Sequence, residues 1–102
     1  MPDTQSLLFG QTLDERFAEY HAKNPTVFEL FKKFAGMALD SGRTHFSAKA
    51  IMERVRWEVY FTSTDSQNFK INNNYTSRYA RLLVSEYPEF RGFFEMRELR
   101  AA

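Results

Sequence analysis

The sequence predicts a mainly α-helical domain with a small β element, and three observations carry that prediction. Helix-start signals stand directly ahead of apolar residues at helical spacing, twice in the first third of the chain. Short stretches near Lys70 and Phe94 alternate apolar and polar residues, as strands do. The 11 Phe, 5 Tyr and 1 Trp among 102 residues supply the apolar bulk for one core, so a chain disordered throughout is not expected.

Residues 1–11 carry little pattern and are expected to form a flexible N-terminus, leaving 12–102 as a single domain. Thr12 and Glu15 have capping-box spacing, and Leu13, Phe17 and Tyr20 recur at helical intervals, which predicts a helix over Leu13–Lys23. Asn24 followed by Pro25 marks a second start: a capping side chain, then a proline in the first turn, where its missing N–H costs nothing. Beyond it Val27, Phe28, Leu30, Phe31, Phe34, Ala35, Ala38 and Leu39 make a broad apolar stripe that Gly42 ends. Arg43–Phe46 is a connector, and Ser47 caps AKAIMERVRWEVYF, whose inner face is Ile51, Met52, Val55 and Val59. From Trp57 to Thr62 the residues fit either a continuing helix or a conversion to strand. TSTDSQN is polar and aperiodic, an exposed loop.

Phe69 to Ile71 predicts a short strand. Asn74 is the expected N-cap of a helix over Tyr75–Tyr87, with Thr76, Ala80, Leu83, Val84 and Tyr87 on its inner face and Pro88 closing it. The run FFEMREL, with Phe94 and Met96 on one side, predicts a closing strand that pairs with Phe69–Ile71 or with a partner chain.

Charge and composition narrow the function classes. No cysteine occurs, which excludes disulfides and thiolate metal sites and makes a reducing, cytoplasmic setting the default. There is no apolar run of membrane-spanning length and no basic flank of a secretory signal, so no membrane association is expected. His21 and His45 lie a whole helix apart without a third ligand at useful spacing, so neither metal nor cofactor is expected. The four glycines are isolated, which excludes a glycine-rich phosphate loop, and no Ser sits in a nucleophile elbow. These absences point away from an enzyme and towards a binding module.

The formal charge is +1, yet the positive surplus is central: Arg43–Phe61 holds four bases against two acids, and Thr62–Ser85 three against one. Within FKINNNYTSRYARLLVS, Phe69 to Ser85, there is no carboxylate at all. Asparagine pairs with adenine and arginine with guanine, while Lys, Thr, Ser, Tyr and a helix N-terminus reach phosphates. The candidate DNA-binding set is therefore Lys70, Asn72, Asn73, Asn74, Tyr75, Thr76, Ser77, Arg78 and Arg81, with Lys49 and Arg56 added from the preceding helix. The competing assignment for these residues is structural, since asparagines commonly cap and turn and exposed arginines are commonly only solvated. Trp57, Tyr60 and Phe61 admit two readings as well. They complete the core, which the shortage of other large apolar material near that helix end favours, or they form an exposed interaction site.

The order helix, helix, polar turn, basic helix and closing strand resembles the winged-helix family of helix-turn-helix proteins. That resemblance makes Pro25–Ser41 the scaffold helix, Ser47 to about Val59 the supporting helix and Tyr75–Glu86 the recognition helix. Two departures stand out: the connector from Thr62 to Asn74 exceeds a usual helix-turn-helix turn, and a full wing needs a second strand. FKINNNYTSRYARLL and RGFFEMREL are also similar to strings in small, uncharacterised phage and prophage proteins. Together the resemblances imply a phage-type DNA-binding regulator or accessory factor in the host cytoplasm, where a homodimer would bring two helices to adjacent grooves. The alternative is a phage-encoded interaction protein that binds a host protein of defence or transcription.

Overall fold

A computed structural model describes residues 12–62 and 70–94. Within the described residues the chain is mainly helical, with α1 at Leu13–Lys23, α2 at Pro25–Asp40, α3 at Ala48–Thr62 and α4 at Thr76–Glu86. Single 3-10 turns precede and follow α4, at Asn73–Tyr75 and Pro88–Phe90. The expected flexible N-terminus, the TSTDSQN loop from Ser63 onwards, Phe69 and the chain beyond Phe94 lie outside the described residues.

Local chemistry accounts for the helix boundaries. Thr12 and Glu15 form the reciprocal capping box at α1, each side chain accepting the other's backbone N–H at 3.2 and 2.9 Å. Pro25 opens α2, but Asn24 does not cap it with its side chain. Instead its backbone N–H and its Nδ2 both donate to the Tyr20 carbonyl, at 2.8 and 3.0 Å, so the residue closes α1. Gly42 stops α2 at φ +96°, a conformation that a Cβ would strain. The Ser47 hydroxyl accepts the Ala50 N–H at 3.2 Å and starts α3, which runs as unbroken helix through Trp57 to Thr62.

The core lies where α2 meets α1, α3 and α4. From α2 it takes Val27, Phe28, Phe31, Phe34 and Ala35, from α3 Ala48, Ile51, Met52, Val55 and Val59, and from α4 Tyr79, Ala80 and Leu83. Tyr79 is wholly buried, with the rings of Phe17, His21, Phe28 and Phe31 around it at centroid distances of 4.8 to 6.4 Å. Its hydroxyl and His21 Nδ1 have no hydrogen-bond partner among the described residues.

Burial shapes the alkaline behaviour. It raises the Tyr79 phenol, and it pushes Tyr20, beside Tyr75, up to about 12. Raised phenols keep their protons in the folded chain while the unfolded chain begins to lose them near pH 10. Stability is therefore fully present below pH 10 and falls as pH rises towards 12. Thermal melts between pH 9 and pH 12 are expected to show that decline. Tyr20→Phe is expected to make it shallower while costing about 1 kcal/mol at neutral pH, because the phenol donates to the Lys70 carbonyl at 3.2 Å. An unchanged alkaline slope in the variant would contradict this account.

The small β element is not seen as a strand among the described residues. Ile71 lies in an irregular connection with its side chain buried, and the β pairing among the described residues is an isolated parallel bridge between Phe46 and Phe94. Of the FFEMREL run only Phe93 and Phe94 are described; Glu95, Met96 and Arg97, on which the expected alternation rests, lie outside the described residues. Phe93 and Phe94 are both buried, because a turn at Arg91–Phe93, with Gly92 at φ +76°, points consecutive rings into the core. The Phe46 N–H donates to the Phe93 carbonyl at 2.9 Å, so this turn docks on the α2–α3 connector rather than on Ile71.

Candidate functional site

Trp57, Tyr60 and Phe61 occupy the last turns of α3. Ile51, Val55 and Val59 recur every four residues and fix the inward line of that helix, and Trp57, two residues from Val55 and from Val59, falls on the opposite side. The three aromatics are 61, 61 and 64% exposed, so the expectation that they complete the core is corrected. They pack on one another: Trp57 and Phe61 have ring centroids 4.8 Å apart, and Tyr60 and Phe61 5.0 Å.

Beside them runs the segment Lys70–Asn73, held against α3 by contacts from two helices. The Tyr20 hydroxyl of α1 reaches the Lys70 carbonyl, and Arg56 of α3 donates to the Ile71 carbonyl at 3.0 Å and to Asn73 Oδ1. Ile71 is buried. The Asn72 side chain accepts the Asn74 N–H at 2.8 Å and caps the 3-10 turn that leads into α4. Between segment and helix lies a groove of about 660 Å³, bounded by the aromatics, Val59 and Ile71, with Glu53, Arg56, Lys70 and Asn73 around it. Glu53 is paired with Arg56 at 3.6 Å.

This geometry redistributes the DNA-binding set. Tyr75 is a core residue, 6% exposed, with its ring against Phe17 and Tyr20, and is withdrawn from the candidate surface. Asn74 is not the cap of α4; Asn72 caps the preceding turn, and the Asn74 carbonyl accepts from Arg78 at 3.2 Å. Arg78 is also bound through Nε to Asp14 Oδ1 at 2.6 Å, joining α4 to α1, and its side chain is only 19% exposed. Arg56 and Asn73 are engaged with each other, as above. Thr76 and Ser77 are half-buried. Lys49, Lys70 and Arg81 are exposed, and their charged groups have no hydrogen-bond or ion-pair partner among the described residues. They are not gathered in one hollow: Lys70 borders the aromatic groove, and Arg81 a separate one with Val84, Ser85, Gly92 and Phe94.

Arg56→Ala is expected to cost about 1.5–2 kcal/mol, the lower part of the range for hydrogen bonds from a charged donor, because the group is partly solvated. Hydrogen exchange at the Asn74 and Tyr75 amides, which donate to Asn72, should quicken in that variant. Arg56→Lys should rescue little, since a single ammonium cannot reproduce the guanidinium fork. Unchanged exchange at both amides would show that Arg56 does not hold the segment.

Among the described residues no three His, Asp or Glu side chains stand close enough to hold a metal ion, and no helix is long and apolar enough to cross a membrane. Comparison of the chain with protein-family models, with curated proteins and with solved structures finds no match.

Proposed function

We propose that the protein is a non-enzymatic binding module that docks a partner protein through the aromatic groove of α3. The observation that carries this reading is the exposure of Trp57, Tyr60 and Phe61, side by side and each more than three-fifths open to solvent. Trp and Tyr are the residue types that dominate binding energy when a partner covers them, and a contiguous exposed aromatic patch is costly to a domain that leaves it unused. The internal engagement of Arg56 and Arg78 supports the same reading, because it removes two guanidiniums from a phosphate-binding surface. On the phage-type reading of FKINNNYTSRYARLL and RGFFEMREL, a host-cell protein is the partner to seek. The test is capture from nuclease-treated host lysate by the wild-type chain and by Trp57→Ala, followed by titration of the purified partner. A stoichiometric protein retained by the first and lost by the second is expected. Recovery that requires nucleic acid, or that survives the substitution, would overturn the reading.

A second reading, a winged-helix-like DNA-binding protein with α4 as recognition helix, rests on its own observation. Lys70 to Ser85 contains no carboxylate, and Lys49, Lys70 and Arg81 are cations without partners among the described residues. On this reading, duplex DNA at low salt should bind with an affinity that falls steeply as salt is added, and replacing the three cations by Ala should flatten that dependence. No change in the salt slope would exclude this surface as a DNA contact.

A further inference from the structure

Resting on the docking reading, we propose that the groove receives an acidic apolar segment of its partner: one large aromatic or aliphatic side chain, with a carboxylate within a few residues that meets Lys70. The groove supplies two kinds of surface. Val59 and Ile71 offer aliphatic area, and Trp57 and Tyr60 offer aromatic faces, which together suit a bulky side chain stripped of water.

Charge decides what flanks that side chain. Of the three ionised groups at the groove among the described residues, Glu53 and Arg56 compensate each other at 3.6 Å, and the Arg56 fork is further occupied by the Ile71 carbonyl and Asn73. Lys70 remains: it is exposed, its ammonium has no partner among the described residues, and its backbone is fixed by Tyr20. One uncompensated positive charge beside an apolar groove favours a carboxylate on the incoming segment and disfavours a basic one. A single-stranded nucleic acid also brings negative charge and stackable rings. Grooves that track such strands line them with several cations, whereas the described residues give this one a single uncompensated cation, with the acid Glu53 also at its rim.

The test uses the full chain as bait for a display library of random peptides, with the enriched sequences resynthesised and titrated. Enriched peptides are expected to carry one Trp, Phe, Tyr or Leu with Asp or Glu close by in sequence. Their affinity should fall at least about tenfold in Trp57→Ala and roughly fivefold in Lys70→Glu, while Lys70→Arg stays near wild type. Trp57-dependent peptides with neutral or basic flanks, or peptides indifferent to Lys70→Glu, would overturn the acidic chemistry and leave the docking reading standing. Absence of any Trp57-dependent peptide would overturn both. Oligothymidylate binding that is lost in Trp57→Ala would reassign the groove to nucleic acid. A dimer in sedimentation that Trp57→Ala dissolves would reassign it to a second copy of the chain, and either result sinks the proposal.

Discussion

Trp57→Ala is expected to weaken partner binding by roughly 30-fold or more while leaving the fold almost untouched. The indole is 61% exposed, and within the described residues its ring partner is Phe61, itself 64% exposed, so little buried area is lost with it. Surface substitutions of this kind change stability by about 0.5 kcal/mol or less. Covered by a partner, the same indole behaves as a central anchor, whose truncation costs about 2 kcal/mol or more, a loss of affinity of roughly 30-fold. Titration calorimetry together with a thermal melt separates the two effects. A melting temperature that drops by many degrees would mean that Trp57 is a packing residue after all, and full affinity in the variant would place the docking surface elsewhere.

Phe31→Ala is expected to have the largest effect on folding. Phe31 is fully buried, its ring 6.0 Å from Tyr79 and 5.7 Å from Phe94, so one side chain links α2 to α4 and to the turn that follows the last 3-10 helix. Removing a buried phenyl costs about 3–5 kcal/mol, against a total of about 5–15 kcal/mol for a domain of this length. At about 4–8 °C per kcal/mol, the melting temperature should fall by roughly 12–40 °C, and urea denaturation should show the same loss with little change in slope. Phe31→Leu, which keeps most of the volume, should lose far less. Equal melting temperatures for Phe31→Ala and the wild type would remove Phe31 from the core.

The helical part of the fold was legible because its signals are local. The Thr12–Glu15 box, Pro25, Gly42 and Ser47 act on backbone groups within one turn, and the apolar stripe of α2 is a property of a single helix. At Phe93 and Phe94, the described start of the expected closing strand, no strand is seen, for a physical reason too. Alternation in FFEMREL reads as a strand only if the backbone is extended, and Gly92 turns it, so that Phe93 and Phe94 both face inward. Trp57 was within reach of the same reasoning that found α2. Once α3 is taken as continuous helix to Thr62, the line Ile51, Val55, Val59 places the indole on the solvent side.

What the sequence by itself determined is the set of helices, the inward stripes of α2 and α3 and the acid-free composition of Lys70–Ser85. Only the tertiary structure decided which of its polar residues are free to bind. Arg78 is spent on Asp14, 64 positions away, Arg56 on Ile71 and Asn73, and the Lys70 carbonyl on Tyr20, 50 positions away. Such pairs arise when packing of the apolar faces brings distant helices together. Each side chain then takes whichever partner that packing sets within about 3 Å, and no local spacing in the chain encodes that choice.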